Sequence, residues 1–272
     1  MTIVRPRRAP PWPTLLFVNG ATPDGRAHPV VRRLAVALGR SGFATYIPEL
    51  PGISNGELTP ATLATAVGCA RLIVDSPDTL GGRLALSGVS VGGTLALLVA
   101  ADETLAARIS LVAGIAPFTD LRKVVQLATT GVYRDGSVDI PYPTPPTLAL
   151  ALERSLVAIA GTSDPVRRLL ANREAAQFDR LYDALPREIH AAVEALSPRS
   201  VASQIHARVE IATAPRDTYF PVAESLALAR ITQARVTVTS ALSHARPHLD
   251  PRNLAGLTQL GGFFVRSLRA AG

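Results

Sequence analysis

Between residues 88 and 93 the chain reads Gly88-Val89-Ser90-Val91-Gly92-Gly93, directly after the run Arg83-Leu84-Ala85-Leu86-Ser87 and directly before a second apolar stretch. A serine among small residues at a strand-to-helix turn is the pattern of a nucleophile elbow. The backbone can bend sharply, the helix can pack close to the sheet, and the hydroxyl projects above the strand ends. The start of the helix adds N–H groups with no helical acceptor beside it. A serine hydroxyl alone is a poor nucleophile, so this chemistry needs a neutral imidazole to take its proton and a carboxylate to hold that imidazole in one tautomer. The blander reading is a glycine-rich bend whose serine caps the helix. Two phosphate-binding readings of the same glycines fail. A dinucleotide fingerprint needs glycine where Ser90 stands and belongs after the first strand, and a P-loop needs a lysine that is absent before Thr94.

The elements that must position this serine follow from the periodicity. Short apolar, partly β-branched runs (Thr14 to Val18, Phe43 to Ile47, Arg83 to Ser87, Arg108 to Ala113, Val209 to Thr213, Val236 to Thr239) alternate with helical spacing over His28 to Gly39, Thr59 to Val74, Val91 to Ala101, Pro221 to Ala229 and Asn253 to Leu268. That alternation predicts an α/β fold: an open, mostly parallel sheet with helices on both faces. The alternation stops between about Asp120 and Ser200. There, helix-like pieces (Leu121 to Thr130, Thr147 to Ala160, Pro165 to Ala176, Pro186 to Leu196) follow one another without a strand, and the Pro- and Gly-rich stretch from Asp135 to Pro146 is expected to be the most mobile part. The predicted organisation is a core of residues 1–119 and 201–272 with a helical cap inserted at 120–200.

With the elbow in this context, the chain resembles the α/β-hydrolase family of serine esterases and lipases from about Pro13 to the C-terminus. The resemblance implies an acid after a later strand and a histidine after the last one. Val209 to Thr213 leads into Ala214-Pro215-Arg216-Asp217-Thr218-Tyr219-Phe220-Pro221, and Val236 to Thr239 leads into Ser240-Ala241-Leu242-Ser243-His244. Asp217 and His244 therefore stand as candidate acid and base to Ser90. Taken alone, Asp217 is also an ordinary turn former and His244 an ordinary loop residue. His248, four residues on, is a rival base, and Asp120, after Gly114-Ile115-Ala116-Pro117, is a rival acid. His28, His190 and His206 read as structural or exposed.

Acyl transfer also needs donors aimed at the developing oxyanion. The backbone N–H of Val91 is the first candidate and that of Ala21, in the loop Asn19-Gly20-Ala21, is the second. Relatives often carry His-Gly where this chain has Asn19-Gly20, a tolerable change because main-chain amides do the work; Asn19 is equally readable as a residue that shapes the loop. Only Thr2 to Arg5 precede the first clear strand, so the family's leading strands are absent or reduced to that edge. Pro48-Glu49-Leu50-Pro51-Gly52 stands where relatives often carry Asp and paired glycines.

The resemblance implies hydrolysis of a small-molecule carboxylic ester, with no metal and no organic cofactor. The stripe Leu148-Ala149-Leu150-Ala151-Leu152 hints at an apolar substrate group, or else anchors the cap to the core. Other reactions of the same fold (thioester, peptide or C–C hydrolysis) and a non-catalytic ligand-binding role are the competing expectations.

Composition bounds these readings. With 272 residues, 47% apolar and 18% charged, the chain has enough apolar material for one large core and does not resemble a disordered chain. A net charge of +7 would raise nucleic acid as a partner. The basic residues, however, are arginines spread along the chain, Lys123 is the one lysine, and the densest run is Arg5-Pro6-Arg7-Arg8. No nucleic-acid partner is expected. Cys69 is the sole cysteine, so no internal disulfide can form, and no apolar run is long enough for a signal-peptide core or a membrane span. The expectation is a cytoplasmic protein.

Overall fold

The computed structural model describes residues 1–248 and 250–272. Its centre is a seven-stranded sheet in the order β1-β3-β2-β4-β5-β8-β9. The strands are β1 (Thr2–Val4), β2 (Trp12–Val18), β3 (Ala44–Ile47), β4 (Thr79–Val89), β5 (Ile109–Ile115), β8 (Arg208–Thr213) and β9 (Arg235–Val238). All neighbours pair in parallel except β1, which runs antiparallel to β3 at the edge. The Thr2 to Arg5 edge thus supplies one strand, β1, ahead of β2.

Because side chains alternate across a strand, each apolar run supplies both faces. Leu16 and Val18 of β2, Leu84 and Leu86 of β4 and Val112 of β5 enter one core cluster, while Leu15, Phe17, Ala85, Leu111 and Ala113 enter the other. Helices α1 (Pro29–Arg40), α2 (Pro60–Val74), α3 (Val91–Ala100), α10 (Val222–Thr232) and α11 (Leu254–Ala271) join and cover these strands. Thr59 opens α2 with a capping box shared with Thr62, and Asn253 caps α11 through Gly256 N.

Some boundaries differ from the sequence expectation for definite reasons. β4 starts at Thr79, four residues before Arg83, because Gly81 and Gly82 take positive φ (60° and 59°) and let the strand pair with β2 across a bulge. Arg108 lies outside β5: its guanidinium is taken up by Gly82 O, Val74 O and the Asp75 carboxylate, and the strand begins at Ile109.

Between β5 and β8 lie α4 (Leu121–Thr130), α5 (Pro146–Ala160), α6 (Asp164–Ala171), α7 (Ala175–Asp183), α8 (Arg187–Ala195) and α9 (Pro198–Val201). The strandless reading of this stretch is wrong. β6 (Val132–Asp135) and β7 (Val138–Pro141) form an antiparallel hairpin across Gly136, whose φ of 60° suits a tight turn. One helical piece was also misread. The segment Pro165 to Ala176 breaks at Asn172, which bonds Glu174 N and O through its side chain, and a separate helix follows that buries Phe178 and Tyr182. These helices enclose their own apolar cluster, with Val125, Leu156, Leu169, Phe178 and Ile189 at its centre. The Leu148 to Leu152 stripe serves packing: Leu148 joins the sheet's core, Leu152 joins the helical cluster, and Leu150 faces solvent.

Glu224 of α10 joins this helical segment to the sheet. Its side chain is 2% exposed and accepts hydrogen bonds from Thr119 N, Thr119 Oγ1, Asp120 N and Tyr133 OH, with Lys123 Nζ at 3.5 Å. Burial first, and then the Glu224 charge, push the Tyr133 phenol far above its ordinary range, so it stays a donor. Truncation by Glu224→Ala leaves these donors and a cation facing a hole. The expected loss is about 3–5 kcal/mol of unfolding free energy, measured as a lower urea midpoint at unchanged m.

Candidate active site

The elbow forms because the sheet ladder runs one residue past β4. Ser90 N–H donates to Ile115 O at 2.7 Å, and the chain then reverses into α3, with Gly93 N and Thr94 N donating back to Ser90 O. Ser90 sits at φ 55° and ψ −127°, a strained conformation for any residue with a Cβ and one that costs on the order of 1–3 kcal/mol. The surrounding glycines are there for space. A Cβ at Gly88 would run into the backbone of Gly92, and one at Gly92 into the carbonyls of Val18 and Asn19.

Asp217 follows β8 and His244 follows β9. Since β4, β8 and β9 are parallel, all three side chains reach the same edge of the sheet. His244 Nε2 lies 3.0 Å from Ser90 Oγ, and His244 Nδ1 lies 2.8 Å from Asp217 Oδ2 and 2.9 Å from Oδ1. The Asp217 side chain is fully buried and that of His244 is 14% exposed. Asp217 is a turn former as well: its Oδ1 also accepts from Tyr219 N and Phe220 N at 2.7 and 3.0 Å. The carboxylate thus closes the turn and faces the imidazole at once, so the turn fixes its position.

Among the described residues neither rival hydrogen-bonds Ser90 Oγ, whose side-chain partner is His244. The His248 side chain is exposed, and its backbone N–H donates to Ala241 O. Asp120 caps α4 through Lys123 N and lies 3.7 Å from Arg199. His28 precedes α1, His206 is exposed, and His190 packs edge-on against Tyr182.

The loop after β2 lies against the elbow, since a Cβ at Gly20 would stand 3.0 Å from Val89 O and 3.4 Å from Ser90 Cβ. Among the described residues neither Val91 N–H nor Ala21 N–H donates to another backbone group. Asn19 is 6% exposed and its amide makes no hydrogen bond, so its side chain does not brace the loop through one. Sequence reasoning missed the aromatic surround of the imidazole. Tyr219 and Phe220 both pack on His244, and Tyr142 OH donates to Asp217 O. The signal was available, because two aromatics follow the candidate acid within three residues. Among the described residues, no group of three or more His, Cys, Asp or Glu side chains could hold a metal ion, and no helix is long and apolar enough to cross a membrane.

A parallel sheet, a strained serine turn on its fourth strand and a histidine–carboxylate pair at the same edge define the α/β-hydrolase class of fold. The chain belongs to the alpha/beta hydrolase family, whose model matches residues 15–257. That membership assigns it hydrolase chemistry of the α/β-hydrolase type. No curated protein matches the sequence. Among solved structures, 2,6-dihydroxy-pseudo-oxynicotine hydrolase is similar at 15% identity and a TM-score of 0.62, over 97% of this chain and 62% of that one. Esterase 2 of Thermogutta terrifontis is similar at 14% identity and a TM-score of 0.59, over 97% and 88% of the two chains. Est1E of Butyrivibrio proteoclasticus, solved with ferulic acid, is similar at 14% identity and a TM-score of 0.58, over 98% and 94%. The chain thus spans less than two thirds of the first of these and most of the other two.

Proposed function

We propose that the chain is a serine hydrolase that cleaves a carboxylic ester through an acyl-enzyme. The observation that carries this reading is the unbroken hydrogen-bonded line from Ser90 Oγ through His244 to Asp217. Ser90 attacks the carbonyl carbon while His244 Nε2 takes its proton. Asp217 keeps the imidazole in the tautomer that accepts at Nε2 and stabilises the cation that forms. The same proton then goes to the departing alcohol. Water, activated by His244, next attacks the acyl-enzyme, and the carboxylic acid leaves with Ser90 restored. The amides of Val91 and Ala21 are the donors we assign to the tetrahedral oxyanion in both halves.

Residues 120–200 are the cap of this enzyme, with 1–119 and 201–272 as the core. Support comes from the neck, where Leu121 N bonds Ser197 Oγ and Arg199 N bonds Thr119 O. The Tyr219 and Phe220 rings beside the imidazole favour an ester with an apolar group, and the resemblance to two esterase folds accords with that class. The single cysteine accords with a reducing compartment, and we place the enzyme in the cytoplasm.

A fluorophosphonate probe should label the protein once, on the peptide containing Ser90, and p-nitrophenyl esters should be hydrolysed in preference to matched thioesters and peptides. Absence of both labelling and ester turnover would remove the proposal; labelling with preferred thioester or peptide cleavage would redirect its substrate class.

A further inference from the structure

His244 is held along only one axis by its hydrogen bonds. Its Nδ1 faces Asp217 and its Nε2 faces Ser90, on opposite sides of the ring, so both bonds tolerate rotation of the ring about the line that joins them. Its backbone, at φ 50°, is in the left-handed region that a residue with a side chain adopts only where surroundings enforce it. The ring faces supply the missing constraint. Tyr219 lies against the imidazole with centroids 4.4 Å apart and planes inclined by 32°, and Phe220 meets it at 5.5 Å and 69°.

Phe220 is buried in the core, but Tyr219 is only half-buried and needs a hold of its own. That hold comes from the helical segment between β5 and β8. The Tyr219 hydroxyl shares a 2.9 Å hydrogen bond with Thr147 Oγ1, in the first turn of α5. Five residues earlier on the same strap, Tyr142 OH donates to Asp217 O. Burial, helped by the Asp217 charge, pushes the Tyr142 phenol up to about 12, so this donor survives through neutral pH. One short strap, 142–147, is therefore tied at two points to the loop that carries both the carboxylate and the ring stacked on the imidazole.

We propose that Tyr219 is the positioning residue for the His244 ring, and that the strap from Tyr142 to Thr147 sets Tyr219 and thereby the geometry of proton transfer. This rests on the reading of Ser90, His244 and Asp217 as the catalytic line. Proton transfer depends steeply on orientation, and a misplacement of about 1 Å can cost about a hundredfold in rate. Tyr219 touches the ring and acts through it, so its loss should lower kcat and leave KM largely alone.

The test is a set of variants assayed on one p-nitrophenyl ester, with the low-field imidazole N–H proton of His244 followed by NMR. Tyr219→Leu should lower kcat about a hundredfold with KM changed less than about threefold, and should broaden the low-field resonance. Tyr219→Phe, which keeps the ring, should recover to within about fivefold of the parent, the size expected for one exposed hydrogen bond. Thr147→Val should match Tyr219→Phe, and the double variant should be no worse than either, because both remove the same bond. Parental kcat in Tyr219→Leu, an equally sharp resonance in that variant, or costs that multiply in the double variant would overturn the proposal. The two single variants and their double retain the aromatic ring and lose only the Thr147–Tyr219 bond. Where Tyr219→Leu fails to fold, an equal, non-multiplying loss of kcat in all three supports the proposal, and parental kcat in all three overturns it. A parent with neither ester turnover nor probe labelling would condemn the catalytic reading instead; the resonance still reports whether Tyr219 and Thr147 fix the ring.

Discussion

Ser90→Ala is expected to abolish ester turnover, with kcat lowered by about 10⁵ to 10⁶ and any residue of activity coming from the oxyanion donors and binding alone. The size follows from geometry. With the hydroxyl gone, His244 Nε2 has nothing to deprotonate at 3.0 Å, and among the described residues no second serine or threonine hydrogen-bonds either ring nitrogen. The fold should survive. Ser90 fastens the elbow through backbone groups, its N–H to Ile115 O and its carbonyl to Gly93 and Thr94, all of which alanine keeps. Alanine at φ 55° bears much the same strain as serine, so the urea midpoint should stay near the parental value while probe labelling disappears. Retention of parental turnover by Ser90→Ala would refute the mechanism.

The strain at Ser90 also explains what could be read from the sequence here. A strand, a turn of small residues and a helix are local features, and Gly88, Gly92 and Gly93 announce a turn that closes too tightly for side chains. The alternating runs were equally legible, because a strand buried on both faces is written as a continuous apolar stretch. Convergence of Asp217 and His244 on Ser90 was expected only through the family resemblance. No local pattern states that strands 4, 8 and 9 end at one edge; that follows from parallel pairing of segments far apart in the chain. The hairpin Val132 to Pro141 escaped notice because its second strand is exposed on every residue, leaving no period of two to detect. The strap across Asp217 was invisible for a related reason. Tyr142 and Thr147 make sense only against a loop some seventy positions downstream.

Asp217→Asn should lower kcat by about 10⁴ while leaving the protein folded, and the separation of these two outcomes is what makes the substitution informative. Asp217 has two tasks. Its Oδ1 closes the turn by accepting from Tyr219 N and Phe220 N, and its carboxylate faces His244 Nδ1. An asparagine oxygen can still close the turn. Its NH₂ group must then face the imidazole, so Nδ1 becomes the acceptor and the proton moves to Nε2, the nitrogen that has to receive the serine proton. The base is then present, in place and in the wrong tautomer. Asp120 offers no replacement, since it is engaged with Lys123 N at the start of α4 and lies near Arg199, away from the ring. Asp120→Asn and His248→Ala should accordingly keep kcat within about threefold of the parent, as expected for side chains outside the reacting line. Circular dichroism and urea unfolding of Asp217→Asn should overlay the parent while ester hydrolysis falls by four orders of magnitude. Parental activity in Asp217→Asn would show that Asp217 does not set the tautomer of the base, and loss of activity in His248→Ala would move the base away from position 244.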